Sequence, residues 1–266
     1  YHWTDRIMWR AHHKIDGLSL HYYTDIWDSE TRTKKSATDF TEKQYYGILA
    51  QAYKIDEIIT RHIEIMNKYD PKHRVDLIVD EWGTWYDVEP GTNPGFLYQQ
   101  NTMRDAIVAG LTLNIFNKHS DRIRMANIAQ TVNVLQAVAL TDGEKMVLTP
   151  TYYVFRMFRE HQENTLLGSF ITTETGTVDS KKHPGDEGNL RLPQLIESAS
   201  IDENGVIYST IVNTSAKKPA KIKCQIADTK IKSIRAEILT GDIHGKNDFD
   251  NGDNIKTVEF TGFRKL

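Results

Sequence analysis

The chain has 266 residues, enough for one large domain or two ordinary ones, and 39% of them are hydrophobic and 26% charged. A net charge of -3 supplies no basic field for nucleic acid, and no apolar run approaches the roughly 20 residues that a membrane-crossing helix needs. The single cysteine, Cys224, excludes an internal disulfide framework and a cysteine-rich metal site, and it is compatible with cytoplasmic, periplasmic and secreted settings alike.

The first residues, Tyr1, His2 and Trp3, are neither an initiator methionine nor a signal peptide, so a processed or truncated start is expected. Residues 15–21 (IDGLSLH) read as a short strand. Thr41 then opens a helix, with Gln44 three residues on as its capping-box partner. Tyr45, Ile48, Leu49, Ala52, Ile55, Ile59, Ile63 and Met66 recur at helical spacing, and Pro71 marks the stop. Residues 75–79 (VDLIV) form a second buried strand that ends in Asp80 and Glu81. A helix is predicted from Phe96 to about Asn117, a third strand within 123–129, and a closing helix over 152–161. Buried strands alternating with helices imply parallel β/α units.

After about Thr165 the period becomes two. Asn204-Gly205 between alternating runs is a strong hairpin signal. Ile222, Cys224 and Ile226 alternate with Lys221, Lys223 and Gln225, and Ile234, Ala236 and Ile238 repeat the pattern, which predicts strands of an antiparallel β-sandwich. Residues 177–190 are polar and turn-rich and read as a surface loop. The expected architecture is α/β followed by all-β, divided at residues 1–164 and 165–266. Three β/α units fall short of the eight that close a barrel, so the first part of a barrel is expected upstream of Tyr1.

Barrel enzymes carry their chemistry at the C-terminal ends of the strands. Here the first strand ends in His21, Tyr22 and Tyr23, and the second in Asp80, Glu81 and Trp82. A carboxylate, an imidazole and aromatic faces suit a sugar and its glycosidic bond. The same residues also have ordinary uses: a carboxylate at a strand end caps helices or pairs with a base, and histidines and aromatics there commonly pack. His12, His13 and His119 lack ligand spacing, so no metal is expected. No G-x-S-x-G elbow supports a serine nucleophile.

Taken together, the stretches DGLSLHYYT (16–24), DEWGTWY (80–86), MANIAQTVNVLQAV (125–138) and LTPTYYVFRMFREHQ (148–162) resemble glycoside hydrolase family 51, the α-L-arabinofuranosidases. A weaker similarity continues through ASIDENGVIYSTIVN (199–213) and AEILTG (236–241). The resemblance implies the C-terminal part of a (β/α)₈ TIM barrel, about strands six to eight, followed by the sandwich. It places Glu81 at the position of the nucleophile and puts His21, Tyr23, Gln130 and Trp85 at substrate-binding positions, with Trp82 and Tyr23 as candidates to hold Glu81 in place. The acid/base glutamate of the family lies in an Asn-Glu dipeptide at strand four, and no such dipeptide occurs in this chain. Many members carry Asn where this chain has Gly83, and the Pro-rich final strand usual in the family's sandwich is missing here. The implied reaction is retaining removal of terminal arabinofuranosyl residues from arabinan, arabinoxylan or related oligosaccharides. It needs no cofactor, and self-association into a homo-oligomer fits the family. A β-xylosidase, an endoglucanase and a non-catalytic carbohydrate-binding module are the competing readings.

Overall fold

The computed structural model describes residues 1–28, 30–180, 188–227 and 229–264. Its framework is a three-stranded parallel sheet in the order β1-β2-β3, built from β1 (Gly17–Thr24), β2 (Asp76–Thr84) and β3 (Ile123–Ile128). Helix α1 (His2–Ala11) precedes β1 and packs on α3 (Ile55–Tyr69). The first crossover is α2 (Glu42–Tyr53) with α3, and the second is α4 (Met103–Lys118). Thr41 forms the expected capping box with Gln44, which satisfies two backbone donors at the start of α2. The single helix predicted after Thr41 is divided at Lys54, although its apolar face is continuous: Ile48, Leu49, Ile55, Ile59 and Met66 are fully buried.

The start of α4 corrects the sequence reading. The helix begins at Met103 rather than Phe96, because Thr102 and Asp105 supply a second capping box and Pro94–Phe96 is only a 3₁₀ turn. The strong cap outweighs the apolar residues ahead of it. After β3 comes a hairpin that the sequence reading did not anticipate, β4 (Ala139–Asp142) and β5 (Lys145–Leu148), which turns at Gly143. Helix α5 (Pro150–Phe158) then closes the α/β part with Pro at its first turn.

The strands that follow are antiparallel. They are β6 (Thr165–Leu167), β7 (Thr175–Asp179), β8 (Asn189–Pro193), β9 (Leu195–Ile201), β10 (Ile207–Asn213), β11 (Glu237–Ile238) and β12 (Val258–Glu259). They pair as β10-β9-β6, β7-β8 and β11-β12. The Asn204-Gly205 turn joins β9 to β10 as expected, with Gly205 at a positive φ. Residues 177–179 and 189–190, predicted as loop, belong to the paired strands β7 and β8, and residues 181–187 lie outside the described residues. The alternation at Ile222, Cys224 and Ile226 does not give a strand, and Ile234 and Ala236 lie outside one. Alternation makes a strand only where a neighbour accepts its hydrogen bonds. Residues 221–226 have none among the described residues, and Ile222 is 40% exposed.

Helix α4 is the shared wall between the two parts, packing on β2 and α2 on one side and on β9 and β10 on the other. Gly110 allows this approach, since a Cβ there would lie 2.8 Å from Val212. Fully buried Asn114 binds the helix to the antiparallel sheet. Its amide donates to the Ile196 carbonyl, and its oxygen accepts from the Ser198 and Thr210 hydroxyls.

At the N-terminal end of the parallel sheet, the Arg122 guanidinium is fully buried and donates to the Asp70 carboxylate at 2.9 Å, to the Val75 and Asp70 carbonyls and to Asn67. Asp70 also accepts from the Val75 backbone N–H. One ion pair thus ties the end of α3 to the starts of β2 and β3. Burial opposes the Asp70 charge, but the Val75 N–H and Arg122 outweigh it and hold the carboxyl below the usual range. A depressed folded value means that the pair stabilises above the ordinary carboxylate pKa, and that this stability is lost as pH falls through the folded value. Arg122→Ala should lower the unfolding free energy by about 3–5 kcal/mol, because it strands a buried carboxylate. Urea denaturation measures this, and Asp70→Asn should flatten the loss of stability below about pH 4.

Candidate active site

Strand β2 buries Leu77 and Val79 against the helices, so strict alternation would bury Glu81 beside them. The register prevents this. Ser19 pairs with Ile78 and His21 with Glu81, while on the other side Val79 pairs with Ala126 and Trp82 with Ile128. Both neighbours therefore see one extra residue in β2, β1 between Ile78 and Glu81 and β3 between Val79 and Trp82, a β-bulge. Asp80 and Glu81 both come onto the open face, and Trp82 takes the buried side. The Trp82 ring is 1% exposed and packs edge-on to Phe116 and stacked on Phe155. Trp82 therefore does not hold Glu81, contrary to the sequence expectation.

On β1, Ser19, His21 and Tyr23 share the open face by simple alternation, while the Tyr22 hydroxyl turns to the other side and donates to the Gln51 carbonyl of α2. The Tyr23 hydroxyl donates to Glu81 Oε2 at 2.5 Å. Burial, that hydrogen bond and the Glu81 charge all push the Tyr23 phenol well above its ordinary range, so it remains a donor at any working pH. His21 Nδ1 lies 3.5 Å from Glu81 Oε2, and its Nε2 lies 3.3 Å from Asp80 Oδ1. The Ser19 hydroxyl donates to the same Asp80 oxygen at 2.8 Å. Burial works against the Asp80 charge, but Ser19, its own backbone N–H and His21 outweigh it and keep the carboxyl below the usual range.

Trp85 meets the Tyr23 ring edge-on at 5.0 Å, and the Lys34 ammonium sits 3.6 Å from the Trp85 ring centroid. The segment after β1 is clasped to the segment after β2 by the Lys34 N–H on Asp87 and the Asp87 N–H on the Lys35 carbonyl. His21, Tyr23, Glu81 and Trp85 thus form one cluster. Gln130 does not join it. It follows a cis peptide bond after β3, its side chain is exposed, and no hydrogen bond links it to the cluster among the described residues. A cleft of about 480 Å³ lined by Tyr53, Lys118, Phe170 and Glu197 lies at the opposite end, beyond the C-terminal ends of α2 and α4. Its Lys118 and Glu197 are paired with each other, and it is no part of the cluster.

A buried polar network supports the strand end. The Thr84 N–H donates to Gln136, the Thr84 hydroxyl donates to Asp105, and the Tyr86 N–H donates to Gln99. Thr84, Asp105 and Gln136 are all 0% exposed. Between this network and Glu81, Gly83 has a φ of +135°, and a Cβ there would lie 3.2 Å from Gln136 Oε1. Sequence reasoning missed Asp80, Ser19, Lys34 and this network. Ser19 could have been found from the two-residue period it shares with His21 and Tyr23, and Asp80 from the period it shares with Ile78, whereas the facing of Glu81 depends on the bulge.

A carboxylate at the C-terminal end of a parallel strand, here held by a phenol, is the kind of group with which glycoside hydrolases act. The family model described as the alpha-L-arabinofuranosidase C-terminal domain matches residues 80–266. An "Intracellular exo-alpha-L-arabinofuranosidase" of Bacteroides ovatus is 43% identical over 98% of this chain and 49% of its own length. The crystal structure of the GH51 arabinofuranosidase from Xanthomonas axonopodis pv. citri is 42% identical, with a TM-score of 0.91 over 98% of this chain and 51% of that one. The Thermotoga maritima α-L-arabinofuranosidase, at 21% identity and a TM-score of 0.74 over 97% of this chain and 50% of that one, shares the fold. The chain belongs to the glycoside hydrolase family 51 arabinofuranosidases, as their C-terminal portion. It spans about half the length of the relatives it matches.

Gly83→Ala should lower stability by about 1–3 kcal/mol, because an L-residue at this φ is strained and its Cβ presses on Gln136. A matching fall in the urea midpoint checks this.

Proposed function

We propose that this chain supplies the nucleophile half of a retaining α-L-arabinofuranosidase. The observation that carries the reading is Glu81, placed by the bulge on the open face at a strand end with its Oε2 held by Tyr23. In this reading β1, β2 and β3 are strands six, seven and eight of a (β/α)₈ barrel. Residues 1–164 form its C-terminal part, and residues 165–266 form the β-sandwich that follows. Substrates are terminal arabinofuranosyl groups of arabinan, arabinoxylan or related oligosaccharides, with self-association of the whole protein part of the same reading.

Oε2 accepts the Tyr23 hydrogen bond, which leaves Oε1 as the attacking atom. It forms an ester bond to the anomeric carbon as the glycosidic C–O bond breaks, and a second carboxyl gives its proton to the leaving oxygen. That second group, by then a carboxylate, takes a proton from water, which attacks the anomeric carbon, releases arabinose and frees Glu81. Retention requires the two carboxyls about 5–5.5 Å apart. Asp80 is unsuited to be the donor, because Ser19 and His21 favour its ionised form. The acid/base carboxyl therefore belongs to the part of the relatives' length that this chain does not span. Trp85, edge-on to Tyr23, offers an apolar wall to the furanose ring. Gln130, an exposed residue just past β3, is in the same reading a partner for a sugar hydroxyl.

The test is Glu81→Gly in the enzyme with its barrel complete, assayed on an aryl α-L-arabinofuranoside with and without azide. Turnover should fall by several orders of magnitude and return with azide, yielding the inverted β-arabinosyl azide. Undiminished turnover without azide would make Glu81 structural. The 266-residue chain alone should hydrolyse unactivated arabinosides negligibly, and clear turnover by it would overturn the assignment of the proton donor to another segment.

A further inference from the structure

The cluster contains one carboxylate that the proposed reaction does not use. Asp80 stands beside Glu81 because the bulge in β2 turns two consecutive side chains to one face, and the His21 ring lies between their carboxylates. Ser19 fixes the Asp80 oxygen that faces the ring, with an O–O distance of 2.8 Å. Imidazole offers two nitrogens, and here Nε2 lies 3.3 Å from Asp80 and Nδ1 3.5 Å from Glu81, a placement in which the ring carrying both N–H groups pairs with both carboxylates. Rotating the ring to reach a sugar hydroxyl would break one of these contacts.

We propose that Asp80 is a positioning residue for the Glu81 reaction: with Ser19 it holds the His21 ring through Nε2, so that Nδ1 stays on Glu81 Oε2 and the nucleophile keeps its angle of attack. This rests on the reading of Glu81 as nucleophile. It also changes the part His21 plays, from a binder of sugar hydroxyls to a brace for the carboxylate. A brace improves the chemical step more than it improves binding, so its loss shows in kcat rather than KM. Displacing a reacting group by even about 1 Å costs on the order of 10²-fold in rate.

The experiment measures kcat and KM of the complete enzyme on an aryl α-L-arabinofuranoside for Asp80→Asn, Ser19→Ala, His21→Ala and the Asp80→Asn/His21→Ala double variant, with thermal midpoints alongside. Asp80→Asn should lower kcat on the order of 10²-fold with KM nearly unchanged. Ser19→Ala should lower kcat less and in the same direction. In the His21→Ala background Asp80→Asn should cost almost nothing further, since its effect runs through the ring. A merely structural Asp80 would lower the thermal midpoint and show its full cost in both backgrounds, which overturns the proposal. Wild-type kcat in Asp80→Asn also overturns it. Should Asp80→Asn fail to fold, the Ser19→Ala and His21→Ala cycle decides on the same criterion. The azide result with Glu81→Gly separates the two claims: if Glu81 behaves as nucleophile and Asp80→Asn is silent, only the positioning role falls.

Discussion

The single extra residue in β2 between Val79 and Trp82 determines what this end of the molecule can do. A strand with strict alternation would have placed Glu81 with Leu77 and Val79 in the core, where an isolated carboxylate is costly to bury. The bulge resolves the conflict by letting the strand keep both requirements. Leu77, Val79 and Trp82 stay on the apolar side, and Asp80 and Glu81 reach the open face together. The stacking of Trp82 on Phe155 and its edge contact with Phe116 then lock the strand after the bulge to α4 and α5. The buried tryptophan and the exposed carboxylate are two sides of one backbone irregularity.

The two ends of the parallel sheet carry different burdens. At the N-terminal end Arg122 and Asp70 bind α3, β2 and β3 through a buried ion pair backed by carbonyl acceptors, a place where chemistry has no access. At the C-terminal end Glu81, His21 and Asp80 keep side-chain exposures of 40–47%. Their rigidity comes from beneath, from the Thr84, Asp105 and Gln136 network that fixes the backbone just past Glu81. Polar groups buried at 0% exposure are tolerable because each has a partner, and their directional bonds leave the strand end little freedom.

Much of this was legible in the residues, wherever a local rule governs. Thr41 with Gln44 announced α2, Asn204-Gly205 announced the β9–β10 turn, and the strand ends at His21, Tyr23 and Glu81 pointed to the cluster. Illegible features were those set by tertiary partners. The alternation at Ile222 and Cys224 had no neighbour to pair with, whereas the late start of α4 was a local signal passed over, the Thr102 and Asp105 cap winning over an apolar approach. The misplaced role of Trp82 has one cause. A bulge shifts the phase of alternation by one residue, and nothing in the DEW tripeptide itself states on which side of the shift each residue falls.

Helix α4 explains why the antiparallel half matters to a site with which it shares no hydrogen bond among the described residues. Asn114 commits its amide donor and its oxygen to the β9–β10 sheet, and Gly110 brings that sheet to within side-chain contact of the helix axis. The opposite face of the same helix carries Phe116 against Trp82, and its first turn carries Asp105 against Thr84. A shift of α4 would therefore move both supports that follow Glu81 together, through the core at Trp82 and through the polar network at Thr84. The antiparallel sheet buttresses the helix from outside, the helix fixes residues 82 and 84, and those two residues anchor the strand just past the bulge that presents the carboxylate.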